Sequence, residues 1–189
     1  MRVSGGSARG KRLTAKGSAQ IRPTSSMVAD ALFNSLGPRV QGARVLDLFA
    51  GTGRLGIEAL SRGADHALFV ERDARNAGVI RQNLAAAGVA SRGTVRRGDA
   101  LAALSALAAE GRPYDLIVID PPYGRDLQRE ALRRISAADL LAAGGLAVAE
   151  GHWRDDPGDV GGLVRVRSSR YGETALWVYA RAAKEEEDV

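Results

Sequence analysis

Cysteine is absent from the chain, which excludes disulfide bonds and thiolate metal sites. Only two histidines occur, His66 and His152, and they stand alone, so a zinc site is not expected and no metal is assigned. Long apolar runs are missing too. No stretch approaches the roughly 20 apolar residues that a membrane span needs. The opening "MRVSGGSARGKR" lacks the apolar core of a secretory signal, so the expectation is a cytoplasmic protein without membrane contact. Acidic residues are the last absence: none precedes Asp30, whereas Arg2, Arg9, Lys11, Arg12, Lys16 and Arg22 all do.

What remains is a chain of 189 residues with 45% hydrophobic content, enough for one domain with a sizeable core. Its formal charge is +5, but four acids sit in the terminal "KEEED". Setting those aside leaves 27 bases against 18 acids, or +9. Positive charge concentrated at one end points to a polyanionic partner, nucleic acid above all. A solubilising arm is the competing reading. The expected organisation is a basic arm or small hairpin over 1–22, a domain over 23–182 and an acidic disordered tail over 183–189.

The segment "TSSMVADALFNSL" has apolar residues at Met27, Ala31, Leu32 and Leu36, a helical spacing that Gly37-Pro38 ends. From Arg44 the pattern alternates between strand and helix. Strands are predicted near 45–49, 67–70, 94–97, 116–120 and 145–150, and helices near 54–62, 74–87, 99–109 and 126–143. This alternation implies a mostly parallel sheet covered by helices on both faces. The stretches "LVRVRSS" and "ETALWVYA", around Tyr171-Gly172, add a terminal hairpin and bring the strands to seven.

In such a sheet, ligands sit beyond the carboxyl ends of the strands. At the first end, Gly51, Gly53 and Gly56 of "VLDLFAGTGRLGIEAL" form a GxGxxG pattern opening a helix, where backbone can approach a ligand closely. At the second, Glu71 stands twenty positions after Gly51, as a ribose-binding carboxylate would. The pattern alone suits a nicotinamide dinucleotide. Asp47 argues otherwise, because a carboxylate in the strand feeding the loop repels a pyrophosphate and suits a cationic ligand; S-adenosylmethionine, with an ammonium and a sulfonium, fits. Asp47 could instead cap loop amides. At the third end, Asp99 reads either as an ordinary helix cap or as an acceptor for an adenine amino group. At the fourth, "LIVIDPPYG" runs from a buried strand into Asp120, Pro121, Pro122 and Tyr123, and the prolines both stop the strand and stiffen the chain beyond it.

These residues resemble the class I S-adenosylmethionine-dependent methyltransferases, and "DPPY" resembles the signature of those that methylate exocyclic or amide nitrogens. Along nearly its whole length the chain is similar to the bacterial family that makes N2-methylguanine in 16S ribosomal RNA. The similarity is carried by "GGSARGKRL", "IRPTSSMVADALFNSL", "DLFAGTGRLGIEALSRGA", "VERD" and "IDPPY". Arg54 departs from it, since a small residue is expected after "GTG".

The resemblance implies a Rossmann-like α/β fold and a 16S RNA or 30S subunit substrate, acted on by a monomer. It implies that Asp47, Gly51 and Gly53 hold the methionine end of S-adenosylmethionine, Glu71 the ribose and Asp99 the adenine, with Phe49 and Ala100 also in the cofactor site. Asp120 and the Pro121 carbonyl would accept the protons of the target amine, beside Pro122, with Tyr123 stacked on a flipped base. Arg9, Lys11, Arg12, Arg22 and Thr24 would face RNA. Rival readings are a DNA adenine methyltransferase, a protein glutamine methyltransferase, a nicotinamide oxidoreductase and a non-catalytic RNA-binding protein. The last two leave "DPPY" without a role.

Overall fold

The computed structural model describes residues 1–15, 26–122 and 126–182. Lys16, Arg22, Thr24 and Tyr123 lie outside these residues, as do the expected junction at 22 and the acidic tail over 183–189.

Seven strands form one sheet: β1 (Arg44–Asp47), β2 (His66–Glu71), β3 (Gly93–Arg97), β4 (Tyr114–Ile119), β5 (Leu141–His152), β6 (Leu163–Tyr171) and β7 (Thr174–Arg181). Their spatial order is β3-β2-β1-β4-β5-β7-β6. The first five strands run parallel, β7 pairs antiparallel with β5, and β6 pairs antiparallel with β7. The order reverses between β1 and β4, which is where such sheets open a crevice for ligands.

Alternate side chains of each strand enter different cores because successive residues point to opposite faces. Val45, Phe69, Val118 and Val148 pack with α1 (Ser26–Leu36), α2 (Arg54–Ser61) and α3 (Ala74–Ala87). Leu46, Val70, Ile117 and Ala149 pack with α4 (Ala100–Ala109) and α5 (Leu127–Ala137). Both faces are therefore covered, as the alternation in the sequence implies.

The largest departure from the expected boundaries lies between α5 and β5. The helix predicted to reach 143 ends at Ala137, and β5 begins at Leu141 instead of 145. The stop is Asp139, which adopts φ 54° while the Leu140 N–H closes onto the Ile135 carbonyl at 3.1 Å. A glycine would have announced this turn, whereas aspartate in an apolar run does not.

The first residues join the fold. Leu13 N–H donates to the Met1 carbonyl at 2.9 Å and Val3 N–H to Lys11 at 3.0 Å, around an antiparallel bridge between Arg2 and Arg12. Val3, Ala8 and Leu13 enter the core beside α2, while Arg2, Arg9, Lys11 and Arg12 stay exposed.

Candidate active site

The glycine loop joins β1 to α2. Gly51 and Gly53 have φ of 55° and 80°, values that L side chains rarely adopt. Gly56 is needed for a different reason: a Cβ there would collide with the Phe69 ring. Carboxylates hold the loop at two points. Glu71 accepts the Gly51 N–H at 2.8 Å, and Asp47 accepts the Gly56 N–H at 3.0 Å. Phe49 is half-buried against the second core and lies between them in sequence.

Burial pushes the Asp47 carboxyl up to about 7; the Gly56 N–H partly offsets this, and Asp120 and Glu71 add repulsion. Three carboxylates thus converge at the ends of β1, β2 and β4. Glu71 also accepts from the Asp73 N–H at 2.8 Å and, at a long 3.5 Å, from the Asn76 amide. A carboxylate has about four acceptor sites, so capacity for a ligand hydroxyl remains.

Asp99 stands at the end of β3 and caps α4 through the Ala102 N–H at 2.9 Å, with Ala100 buried behind it. The capping role is realised, and the exposed carboxylate keeps a second oxygen. Asp120 is the first residue past β4 and half-buried, Pro121 is buried and Pro122 exposed.

Two residues, Glu150 and Asn83, escaped the sequence reading, and Arg54 enters it only as a departure. Glu150 ends the run "LAVAE" on β5 as Asp120 ends "LIVID" on β4, and the pairing of Ile119 with Ala149 sets the two acids side by side along the sheet. That repeated pattern was the signal available. Arg54, at the first turn of α2, is buried; burial pulls its guanidinium below the usual arginine range, and Glu58, Asp30 and Glu150 draw it back up. The unexpected arginine thus sits among acids from α1, α2 and β5. Asn83, on α3, donates to the Thr52 carbonyl of the glycine loop at 2.9 Å and bonds Thr14 of the N-terminal segment.

Glu58 clasps that same segment. It accepts from the Ser4 N–H, the Ser4 hydroxyl and the Gly5 N–H at 2.6–2.9 Å, and it pairs with Arg62 at 2.8 Å. Of the arginines near β3, Arg96 pairs with Glu110 at 2.7 Å and Arg92 donates to the Ala64 carbonyl at 2.7 Å, so both have local partners.

Among the described residues no cluster of acids and histidines could hold a metal ion, and no helix is long and apolar enough to cross a membrane.

Known proteins resemble this chain along most of its length. The family described as "Conserved hypothetical protein 95" matches residues 1–180. YlbH of Bacillus subtilis (strain 168) is 40% identical over 183 residues, covering 96% of this chain and 99% of that protein. Ribosomal RNA small subunit methyltransferase D of Escherichia coli (strain K12) is 34% identical over 199 residues, covering 100% of this chain and 93% of that protein. The solved structure of Escherichia coli yhhF superposes with a TM-score of 0.83 at 33% identity, covering 97% of this chain and 99% of that one.

Proposed function

We infer the function from kinship and geometry together, because the chain belongs to the conserved hypothetical protein 95 family, alongside ribosomal RNA small subunit methyltransferase D. It is an S-adenosylmethionine-dependent methyltransferase, and its substrate is ribosomal RNA. More finely, it methylates the exocyclic N2 of one guanine in 16S RNA. It works as a monomer in the cytoplasm, on RNA carried in a 30S subunit or assembly intermediate.

The observation that carries this reading is the convergence of Asp47, Glu71 and Asp120 around the glycine loop. Asp47, buried and held up to about 7, gains most from a ligand that brings positive charge. A pyrophosphate would meet repulsion there. The residues therefore fit S-adenosylmethionine: Asp47, Phe49, Gly51 and Gly53 toward its methionine end, Glu71 toward the ribose, and Asp99 with Ala100 toward the adenine. The bound cofactor supplies a methyl group on a sulfonium centre.

The chain's own residues have the harder task, since the guanine N2 lone pair is delocalised into the ring. Asp120 accepts one N–H of the amine and takes the proton that methylation releases. The Pro121 carbonyl accepts the other N–H. Pro122 has no N–H to compete for either acceptor and keeps the turn stiff. Tyr123 is proposed to stack on the base, and Arg22 and Thr24 to contact the RNA. Arg9, Lys11 and Arg12 form a basic face toward the phosphates. Positioning of this kind can lower a barrier by up to ~7–11 kcal/mol, and proton acceptance contributes ~100-fold to 10,000-fold more.

The test is methyl transfer from labelled S-adenosylmethionine to unmethylated 16S RNA and to 30S particles, with nucleoside analysis of the product. N2-methylguanosine is the expected product. Labelled N6-methyladenine in DNA, methylglutamine in protein, or no RNA product would overturn the reading.

A further inference from the structure

The three cofactor-side acids occupy the ends of β1, β2 and β3, on one flank of Asp120. The other flank, over β5, β7 and β6, carries none of these acids and lies on the side of Asp120 away from them. Its outermost feature at the carboxyl edge is a surface tryptophan. Trp153 comes directly after β5, three residues past Glu150, which at about 3.3 Å per residue is roughly 10 Å farther along the strand direction. Its N–H donates to the Glu173 carbonyl at 3.0 Å, so the turn between β6 and β7 fixes its backbone.

Trp153 is 36% exposed and belongs to neither hydrophobic core. Two guanidiniums lie against its ring, Arg170 at 4.0 Å and Arg154 at 5.1 Å from the centroid. His152 stands 5.9 Å away, tilted by 33°. Among the described residues neither Arg154 nor Arg170 pairs with an acid, although Asp155 and Glu173 are exposed nearby. By contrast Arg165, farther down β6, is engaged by Asp156 at 2.6 Å. Arg170 is itself oriented by the Gly172 carbonyl at 2.8 Å.

We infer that Trp153, flanked by Arg154 and Arg170, is a second RNA contact: a stacking platform for an unpaired base near the target guanine, with both arginines reaching its phosphates. This inference rests on RNA being the substrate. The chemistry selects a nucleic acid because a planar indole and planar guanidiniums both stack on bases, and arginine also recognises phosphate. Unpaired positive charge on this flank is complementary to a single strand.

The experiment measures affinity for transcribed 16S RNA separately from methylation. Trp153→Ala is expected to weaken RNA binding at least ~5-fold, as loss of one stacked base does. Trp153→Phe should retain most affinity. Arg154→Ala with Arg170→Ala should weaken binding and flatten its salt dependence by up to two contacts. S-adenosylmethionine affinity and the circular dichroism spectrum should match the unaltered protein in every variant, and Trp153 fluorescence should be quenched by RNA over the constant background of buried Trp177. Unchanged RNA affinity in Trp153→Ala overturns the inference. So does a loss confined to 30S particles with naked RNA unaffected, which would assign the patch to a ribosomal protein. If the unaltered protein methylates no RNA, the proposed function fails, while the binding measurement still decides whether the platform exists.

Discussion

Asn83 bonds the backbone of Thr14 in both directions, accepting its N–H at 2.7 Å and donating to its carbonyl at 3.1 Å, while its second amide hydrogen reaches Thr52 at 2.9 Å. One buried amide thus fastens the basic N-terminal segment to the glycine loop. Removing it by Asn83→Ala leaves a donor and two acceptors short of partners, at a cost of about 1–3 kcal/mol. We expect lower stability in urea together with weaker S-adenosylmethionine binding. Asn83→Asp keeps the acceptor but turns a buried carboxylate oxygen toward the Thr14 and Thr52 carbonyls, so it should cost at least as much. Unaltered cofactor affinity in Asn83→Ala would show that the loop holds its shape alone.

The N-terminal segment cannot be tested by truncation. Val3, Ala8 and Leu13 belong to the core, and Glu58 would lose three hydrogen bonds if Ser4 and Gly5 were removed. Deleting residues 1–14 is therefore expected to destabilise the whole fold, visible as a lowered Tm. Neutralising the exposed Arg2, Arg9, Lys11 and Arg12 spares those contacts and isolates their charge. If each cation meets one phosphate, the quadruple variant should reduce the salt slope of RNA binding by about 0.7 per contact. A full slope retained by that variant would move RNA recognition elsewhere.

Cofactor binding should depend on pH through Asp47. Its folded value, raised to about 7 by burial, lies above the unfolded carboxylate range, so the stability it contributes is present below that range and lost as pH rises through 7. A cationic ligand favours the ionised form. Affinity for S-adenosylmethionine should accordingly rise several-fold, approaching tenfold per unit, between pH 5.5 and 6.5. Calorimetry in buffers of different ionisation enthalpy should register a proton released on binding. Asp47→Asn should abolish both the pH dependence and that proton.

Asp120 carries the proposed proton acceptance. Asp120→Asn should leave cofactor affinity within about twofold and reduce turnover by at least ~100-fold, the range typical of a lost general base. Single-turnover methylation of 16S RNA separates the two effects. Near-normal turnover would remove Asp120 from the reaction.

Glu71 holds the Gly51 and Asp73 N–H groups, and its proposed partner in the cofactor is the ribose. Glu71→Ala should weaken S-adenosylmethionine by about 2 kcal/mol, the scale of a charge-assisted hydrogen bond. Isothermal titration gives the answer directly. An affinity matching the unaltered protein would leave Glu71 a loop anchor only.

The sequence by itself determined the alternation of strands and helices, the glycine loop and the acid at each strand end, because these are local patterns: side chains repeat at fixed periods, and a carboxylate placed after an apolar run must emerge at the sheet's edge. It also determined that Gly51 and Gly53 face a turn. It did not reveal why Gly56 is glycine, since Phe69 enters from another strand. Nor could it end α5 at Ala137, where aspartate takes a conformation usually left to glycine. Only the tertiary structure decided that Glu58 and Asn83 hold residues 54 and 69 positions away, that Arg54 sits among Asp30, Glu58 and Glu150, and that Trp153 meets Arg170. Those relationships depend on which strand lies beside which. Strand order is set by the packing of both cores, a property of the whole chain that no local window contains.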